Sequence, residues 1–205
     1  MKTPNLLLLI VLLLPSGYVL SGGGSLEINQ VCIETGCFPG DEAGFPVQIN
    51  VPGKYILTSG LTVDDPYTHA ISVSADNVRI DLNGVTIQGP NTCDLDAGTC
   101  SPAGGGRGIM LVDFNARKGI HVVNGQIDGF GNYCMEVGVS GLAADLTLSN
   151  CFAGISAGRG AVVERVRAYN NRYGIDMTGE AMIRDSSSMD NIIGSSLNRV
   201  GSVIS

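Results

Sequence analysis

Residues 154–193 carry one pattern written twice, and that repeat limits what the chain can fold into. GISAGRGAVVERVRAYNNRY (154–173) and GIDMTGEAMIRDSSSMDNII (174–193) align without a gap: Gly154 falls over Gly174, Ile155 over Ile175, Val163 over Ile183, Ala168 over Ser188 and Asn171 over Asn191. A fixed period of twenty residues marks a stacked solenoid, in which each repeat buries its apolar side against its neighbours. Within each copy the apolar residues alternate, Ile155 with Ala157 and Ile175 with Met177, which is strand spacing. Short strands with Gly, Asn and Ser at the bends describe one coil of a parallel β-helix.

Earlier segments extend the pattern. Cys134, Met135, Val137, Leu146 and Asn150 sit twenty before Gly154, Ile155, Ala157, Val166 and Asn170. HAISVSADNVRIDLNGVTIQG (69–89) offers three strands, with bends at Ala75–Asn77 and Asn83-Gly84, as a triangular section requires. It returns forty residues later, aligning Ile80 with Ile120, Leu82 with Val122, Ile87 with Ile127 and Gly89 with Gly129. Between the two lies PNTCDLDAGTCSPAGGGRG (90–108), aperiodic and rich in Cys, Pro and Gly, which reads as a loop thrown out of the stack. PVQINVPGKYILTSGLTV (46–63) reads as the first coil, and residues 22–45 as a linker and cap, with Leu26–Val31 covering the open end. The expectation is a single all-β domain, a right-handed parallel β-helix over 46–205 of about 6–7 coils. At ~4.8 Å per coil the rod is roughly 30 Å long.

Met1 to about Ser21 has the form of an export signal: Lys2, the apolar run Leu6–Leu14, a break at Pro15 and Gly17, and small residues at Val19 and Ser21. The run falls short of the ~20 apolar residues that span a bilayer, so the expectation is a secreted or periplasmic protein without a membrane span after cleavage. Loss of Lys2 takes the 12 basic residues to 11 against 19 acidic, a net charge of −8. No basic patch exists to displace counterions from phosphates, which argues against nucleic acid as a partner. The six cysteines suit an oxidising compartment and lack the paired spacing of a zinc site. Proximity favours Cys32 with Cys37, Cys93 with Cys100, and Cys134 with Cys151, the last pair stapling adjoining coils.

The NVRIDLNGVTIQG element, the Gly-Ile coil starts and the corner Asn residues, across about Pro46 to Ser196, resemble the right-handed parallel β-helix proteins of the pectin-lyase-like superfamily. The resemblance implies the fold; that fold hosts lyases, hydrolases, epimerases and adhesins, so it names no activity. The polygalacturonase-like set (an adjacent Asp pair, Gly-His-Gly and Arg-Ile-Lys) is absent, because Asp64-Asp65 lacks the other two parts. In Tyr-Gly-Ile-Asp (173–176), similar to the start of an alginate-epimerase motif, Met177-Thr178-Gly179 follows where that family has Pro-His-Asp-Asp.

Among outward positions, Asp145, Arg165 and Asp185 stack at the repeat spacing, as do Glu164 and Arg184. Alternating signs pair across strands for ~0.2–1 kcal/mol each, which accounts for these charges better than a substrate clamp does. Asn170 with Asp190 and Asn171 with Asn191 form a second ladder at a bend. Glu136 and Asp176 share a coil position two circuits apart, with Ser156 between them and Arg172 nearby. At ~9.6 Å they meet the outer limit for an inverting glycosidase pair, so Glu136, Asp176 and Arg172 are the catalytic candidates. Asp94 and Asp96, with Asp64-Asp65, are the candidates for calcium as cofactor, offering oxygen ligands without the repeat of calcium-binding β-rolls. His69 and His121 lie apart from each other and from any nucleophile.

The expectation is an exported β-helix protein that binds a glycan or envelope component along its flank without catalysis. The rivals are a polysaccharide lyase or glycoside hydrolase, or a piece of one, and an assembly unit. SLNRVGSVIS (196–205) ends in mid-coil, which points to self-association through an open strand edge or to completion by another chain.

Overall fold

The computed structural model describes residues 24–193 and the strand Val203–Ile204. The chain is a parallel β-solenoid of about seven turns, with one 3-10 turn at Cys32–Glu34 as its helical element among the described residues. A six-stranded sheet runs along one side, from Val47–Ile49 through Ile71–Val73, Ile109–Leu111, Tyr133–Val137 and Ala153–Ala157 to Tyr173–Met177. An eleven-stranded sheet wraps the rest, and its regular rungs are the eight-residue strands His121–Asp128, Leu142–Ser149 and Val162–Tyr169.

The twenty-residue repeat sets the register. Met135 pairs with Ile155 and Ile155 with Ile175, while Val163 pairs with Ile183 and Leu146 with Val166. These residues are inside the tube and buried, except Ile183, which is partly buried against the core. Each buried aliphatic side chain contributes about 1.5–3 kcal/mol, and contacts between neighbouring coils supply nearly all of it.

In the coils from Gly119 to Asn170 each of the three corners holds a residue in the left-handed region. Asn77, Gly119, Ser140 and Gly160 form one column, Asn83, Asn124, Asp145, Arg165 and Asp185 a second, and Gly129, Asn150, Asn170 and Asp190 a third. Gly, Asn and Asp tolerate that conformation best, which is why they punctuate the sequence at these spacings. Ser140 (φ 52°) and Arg165 (φ 51°) are the exceptions, and Arg165 is the bulkier. It is held by a bidentate pair to Asp145, Nε–Oδ1 2.6 Å and Nη2–Oδ2 2.9 Å. Arg165 also meets Glu164 at 2.9 Å, and Glu164 pairs with Arg184, so Asp145, Glu164, Arg165 and Arg184 form a ladder, while Asp185, expected to join it, makes no ion pair among the described residues.

The forty-residue alignment needs one correction. Ile87 does face Ile127, but Ile80 pairs with Val122, not with Ile120. The Asn83-Gly84 bend, with both residues at positive φ, is two residues longer than the Asn124 corner beneath it. A slip of two preserves the inward face, so the core residues were unaffected.

At the first end, Leu26–Ile28 adds a parallel strand to Gly53–Leu57, and Ile33 joins the core. The disulfides join Cys32 to Cys37, Cys93 to Cys100 and Cys134 to Cys151. The third ties the start of a coil to the bend that closes the same coil, and so does not link adjoining coils. The sequence expectation about the chain end concerns residues outside those described, apart from Val203–Ile204, which pairs in parallel with Ile183–Arg184. Among the described residues no helix is long and apolar enough to cross a membrane.

Candidate functional site

The 90–108 segment does not project from the rod; it folds back along a corner. Thr92–Asp94 and Thr99–Ser101 form an antiparallel hairpin, closed by Cys93–Cys100. The corner asparagines hold it down. Asn91 donates from Nδ2 to the Asn150 carbonyl (2.6 Å), the Cys93 amide donates to Asn150 Oδ1 (3.2 Å), and Asn170 Nδ2 donates to the Cys93 carbonyl (3.3 Å). Beyond the hairpin the chain returns beside the stack. Gly104 lies so close to Gly131 and to the Pro66 backbone that no Cβ would fit, and the Asn132 amide donates to the Gly106 carbonyl at 3.0 Å.

Between this returning arm and the corner is a cleft of about 410 Å³. Residues 102–104 form one wall; Gly131, Asn132, Phe152 and Arg172 form the other, with Asn91 and Cys100 completing it. Asn132, Phe152 and Arg172 occupy the same place in successive coils, since the Ala153 amide donates to the Asn132 carbonyl and the Tyr173 amide to the Phe152 carbonyl. The Arg172 guanidinium lies over the Phe152 ring at 5.6 Å and the Tyr173 ring at 6.0 Å, and these two rings meet edge to face at 5.3 Å. Among the described residues Arg172 makes no ion pair, and its Nε is shielded without a hydrogen-bond partner.

A second cluster lies on the outer face of the six-stranded sheet. Glu136, Ser156 and Asp176 are aligned in successive strands, as their spacing requires. Glu136, however, is not a solvated strand carboxylate: it is 5% exposed. Its Oε1 faces Arg107 Nη1 at 3.2 Å and its Oε2 accepts from the Leu111 amide at 2.8 Å. Burial pushes its carboxyl up from the usual range, against the lowering effect of the Leu111 amide and the Arg107 charge. Tyr133 donates to Asp176 Oδ2 at 3.4 Å from a strand two rungs away. The bond reaches past the strand that carries Ser156, which is itself buried. Tyr133 is itself pushed up, first by burial and then by the Asp176 and Glu136 charges. Arg107 stacks on the Tyr133 ring at 5.6 Å, and its amide donates to His69 Nδ1 at 3.1 Å. Burial and then the Arg107 charge hold His69 below its ordinary value, so a neutral ring with its proton on Nε2 fits the geometry.

The carboxylates Glu136 and Asp176 are thus in line but do not face an open site. Both Glu136 oxygens are engaged, and Asp176 Oδ2 accepts from Tyr133. Arg172, grouped with them by sequence, lies in the corner cleft. Asp94 accepts from the Asp96 and Ala97 amides, both at 3.0 Å, and so closes its own turn; Asp65 closes its own by accepting from the Thr68 hydroxyl. Among the described residues no group of three His, Cys, Asp or Glu side chains is placed to hold a metal.

Sequence reasoning missed Asn91, Arg107, Asn132, Tyr133 and Phe152. One signal was available for Phe152. Read at the repeat spacing, it is an aromatic in a column that otherwise holds Asn132 and Arg172, at a corner where nothing apolar needs to stand.

No family model matches the chain, and no curated protein or solved structure matches it.

Proposed function

We propose that the protein is an exported glycan-binding β-solenoid of the pectin-lyase-like kind, and that the corner cleft is its binding site. The observation that carries this reading is the wall of Phe152, Arg172 and Asn132. An exposed ring, a guanidinium without an anionic partner among the described residues and a carboxamide are the groups that hold a sugar, the ring against its C–H face and the others on its hydroxyls. The arm makes this a cleft, and the Cys93–Cys100 disulfide with the Asn150 and Asn170 contacts fixes the arm before any ligand arrives. Preorganisation of that kind reduces the ordering cost of binding. The three disulfides agree with export to an oxidising compartment.

The rival, a lyase or hydrolase using Glu136 and Asp176, is disfavoured by the engagement of both Glu136 oxygens. Titration of the protein against a polysaccharide and oligosaccharide panel, with absorbance at 235 nm and reducing ends followed in the same samples, separates the two. The expected result is saturable binding without products, weakened at least about tenfold by Phe152→Ala and by Arg172→Ala. Binding indifferent to both substitutions, or product formation abolished by Glu136→Gln, overturns the reading.

A further inference from the structure

We infer that the corner cleft recognises the acetamido group of an N-acetylated amino sugar, a specificity that rests on the glycan-binding reading and narrows it. The cleft presents three kinds of surface. Arg172 and Asn132 are donors: neither side chain makes a hydrogen bond or ion pair among the described residues. Asn91 is an acceptor. Its side chain is buried, with 1% of the residue exposed, and Nδ2 is committed to Asn150, while Oδ1 has no partner among the described residues. A buried carboxamide oxygen left in that state costs about 1–3 kcal/mol; it is shielded from solvent, and a side-chain shift that opens it to the cleft Asn91 lines lets a ligand donor recover that cost. Phe152 (37% exposed), Pro102 and Ala103 are apolar.

An acetamido group matches all three. Its carbonyl accepts from Arg172 and Asn132, its N–H is directed to Asn91 Oδ1, and its methyl lies against Phe152 and Pro102. A carboxylate matches only Arg172. It brings negative charge toward the Asn91 oxygen, finds no second cation in the cleft, and meets a chain whose net charge is −7. A plain hydroxyl satisfies the polar groups and leaves the apolar wall uncovered. A site built around donors and acceptors of this sort rejects a ligand that lacks one of them more strongly than it rejects a change in bulk.

The test is calorimetric titration of the full chain with N-acetylglucosamine and N-acetylgalactosamine oligosaccharides, their de-N-acetylated counterparts, cellotetraose and tetragalacturonate. The expected result is that an N-acetylated oligosaccharide binds at least about tenfold tighter than cellotetraose, and that removal of the acetyl groups abolishes the difference. Asn132→Ala and Phe152→Ala should each reduce affinity for the N-acetylated ligand, with circular dichroism and thermal midpoint unchanged. Equal or tighter binding of cellotetraose or tetragalacturonate overturns the acetamido assignment and leaves glycan binding standing. If the oligosaccharides of the wider panel fail to bind as well, both fall.

Discussion

The Asn171 amide N–H donates to Asn191 Oδ1 at 2.9 Å, and the same contact recurs one coil earlier, where the Cys151 amide donates to Asn171 Oδ1 at 2.9 Å. Asn171 is 0% exposed and every polar atom of its side chain is used, because Nδ2 also donates to the Leu148 and Tyr169 carbonyls at 3.0 Å each. This residue is the polar peg around which the corner turns. Asn171→Ala strands the Cys151 amide and two carbonyls, at about 1–3 kcal/mol for each group left unsatisfied. The urea midpoint should fall well below that of Asn191→Ala, whose site is half-buried in the last described coil. Equal losses would show that burial does not set the value of this contact.

The Cys134–Cys151 disulfide occupies the place that Gly154 with Asn171, and Gly174 with Asn191, occupy in the next two coils. In those coils a Cβ on the glycine would meet the asparagine Nδ2, at 3.3 Å for Gly154 and 2.8 Å for Gly174. One coil thus uses a covalent bond where the others use a peg against a glycine. Removing the disulfide as Cys134→Ala with Cys151→Ala should cost about 3 kcal/mol, the value for a loop of this length. Cys134→Gly with Cys151→Asn should recover part of that, since the asparagine can accept from the Phe130 amide, which already donates to Cys151 Sγ at 3.3 Å, in the manner of its neighbours. A Gly/Asn variant no more stable than the Ala/Ala variant in thermal unfolding would end this account.

The fold was legible because a solenoid repeats its physics. Ile155 over Ile175 and Asn171 over Asn191 could be read from spacing alone, and an alternating apolar pattern survives even the two-residue slip at Asn83-Gly84. The site was legible only in part, since it is built where repetition stops. Glu136 and Asp176 were placed in the right column, but the burial of Glu136 depends on Arg107, which comes from the aperiodic arm. Nothing local indicates that residues 102–107 return to lie against Gly131 and Asn132. Long-range docking of an irregular segment leaves no period to detect.

Arg165 has the bulkiest side chain among the corner residues, in a backbone conformation it does not favour. At φ 51°, asparagine or glycine is the easier occupant, and the salt link to Asp145 is exposed, a setting in which such pairs contribute little. Arg165→Asn should therefore leave the thermal midpoint unchanged or raise it, and the variant's advantage should grow in high salt as the wild-type ion pair is screened. A clear drop in midpoint at low salt would show that the charge ladder along Asp145, Glu164, Arg165 and Arg184 acts as a unit.

Glu136 gives a dependence on pH whose sign follows from its surroundings. Arg107 and the Leu111 amide favour the carboxylate and burial disfavours it; burial dominates, and the group titrates above its ordinary 4.5. The folded chain therefore binds this proton more tightly than the unfolded chain, and folding takes it up between the two values. The contribution to stability is fully present below pH 4.5 and is lost as pH rises through the folded value. Glu136→Gln keeps the shape and removes the titration. Urea unfolding of both proteins from acid to neutral pH should show wild type losing ground to the variant over that window, with parallel curves above it. If wild type gains on the variant as pH rises, the Arg107 pairing outweighs burial and the carboxylate is the favoured form in the folded protein.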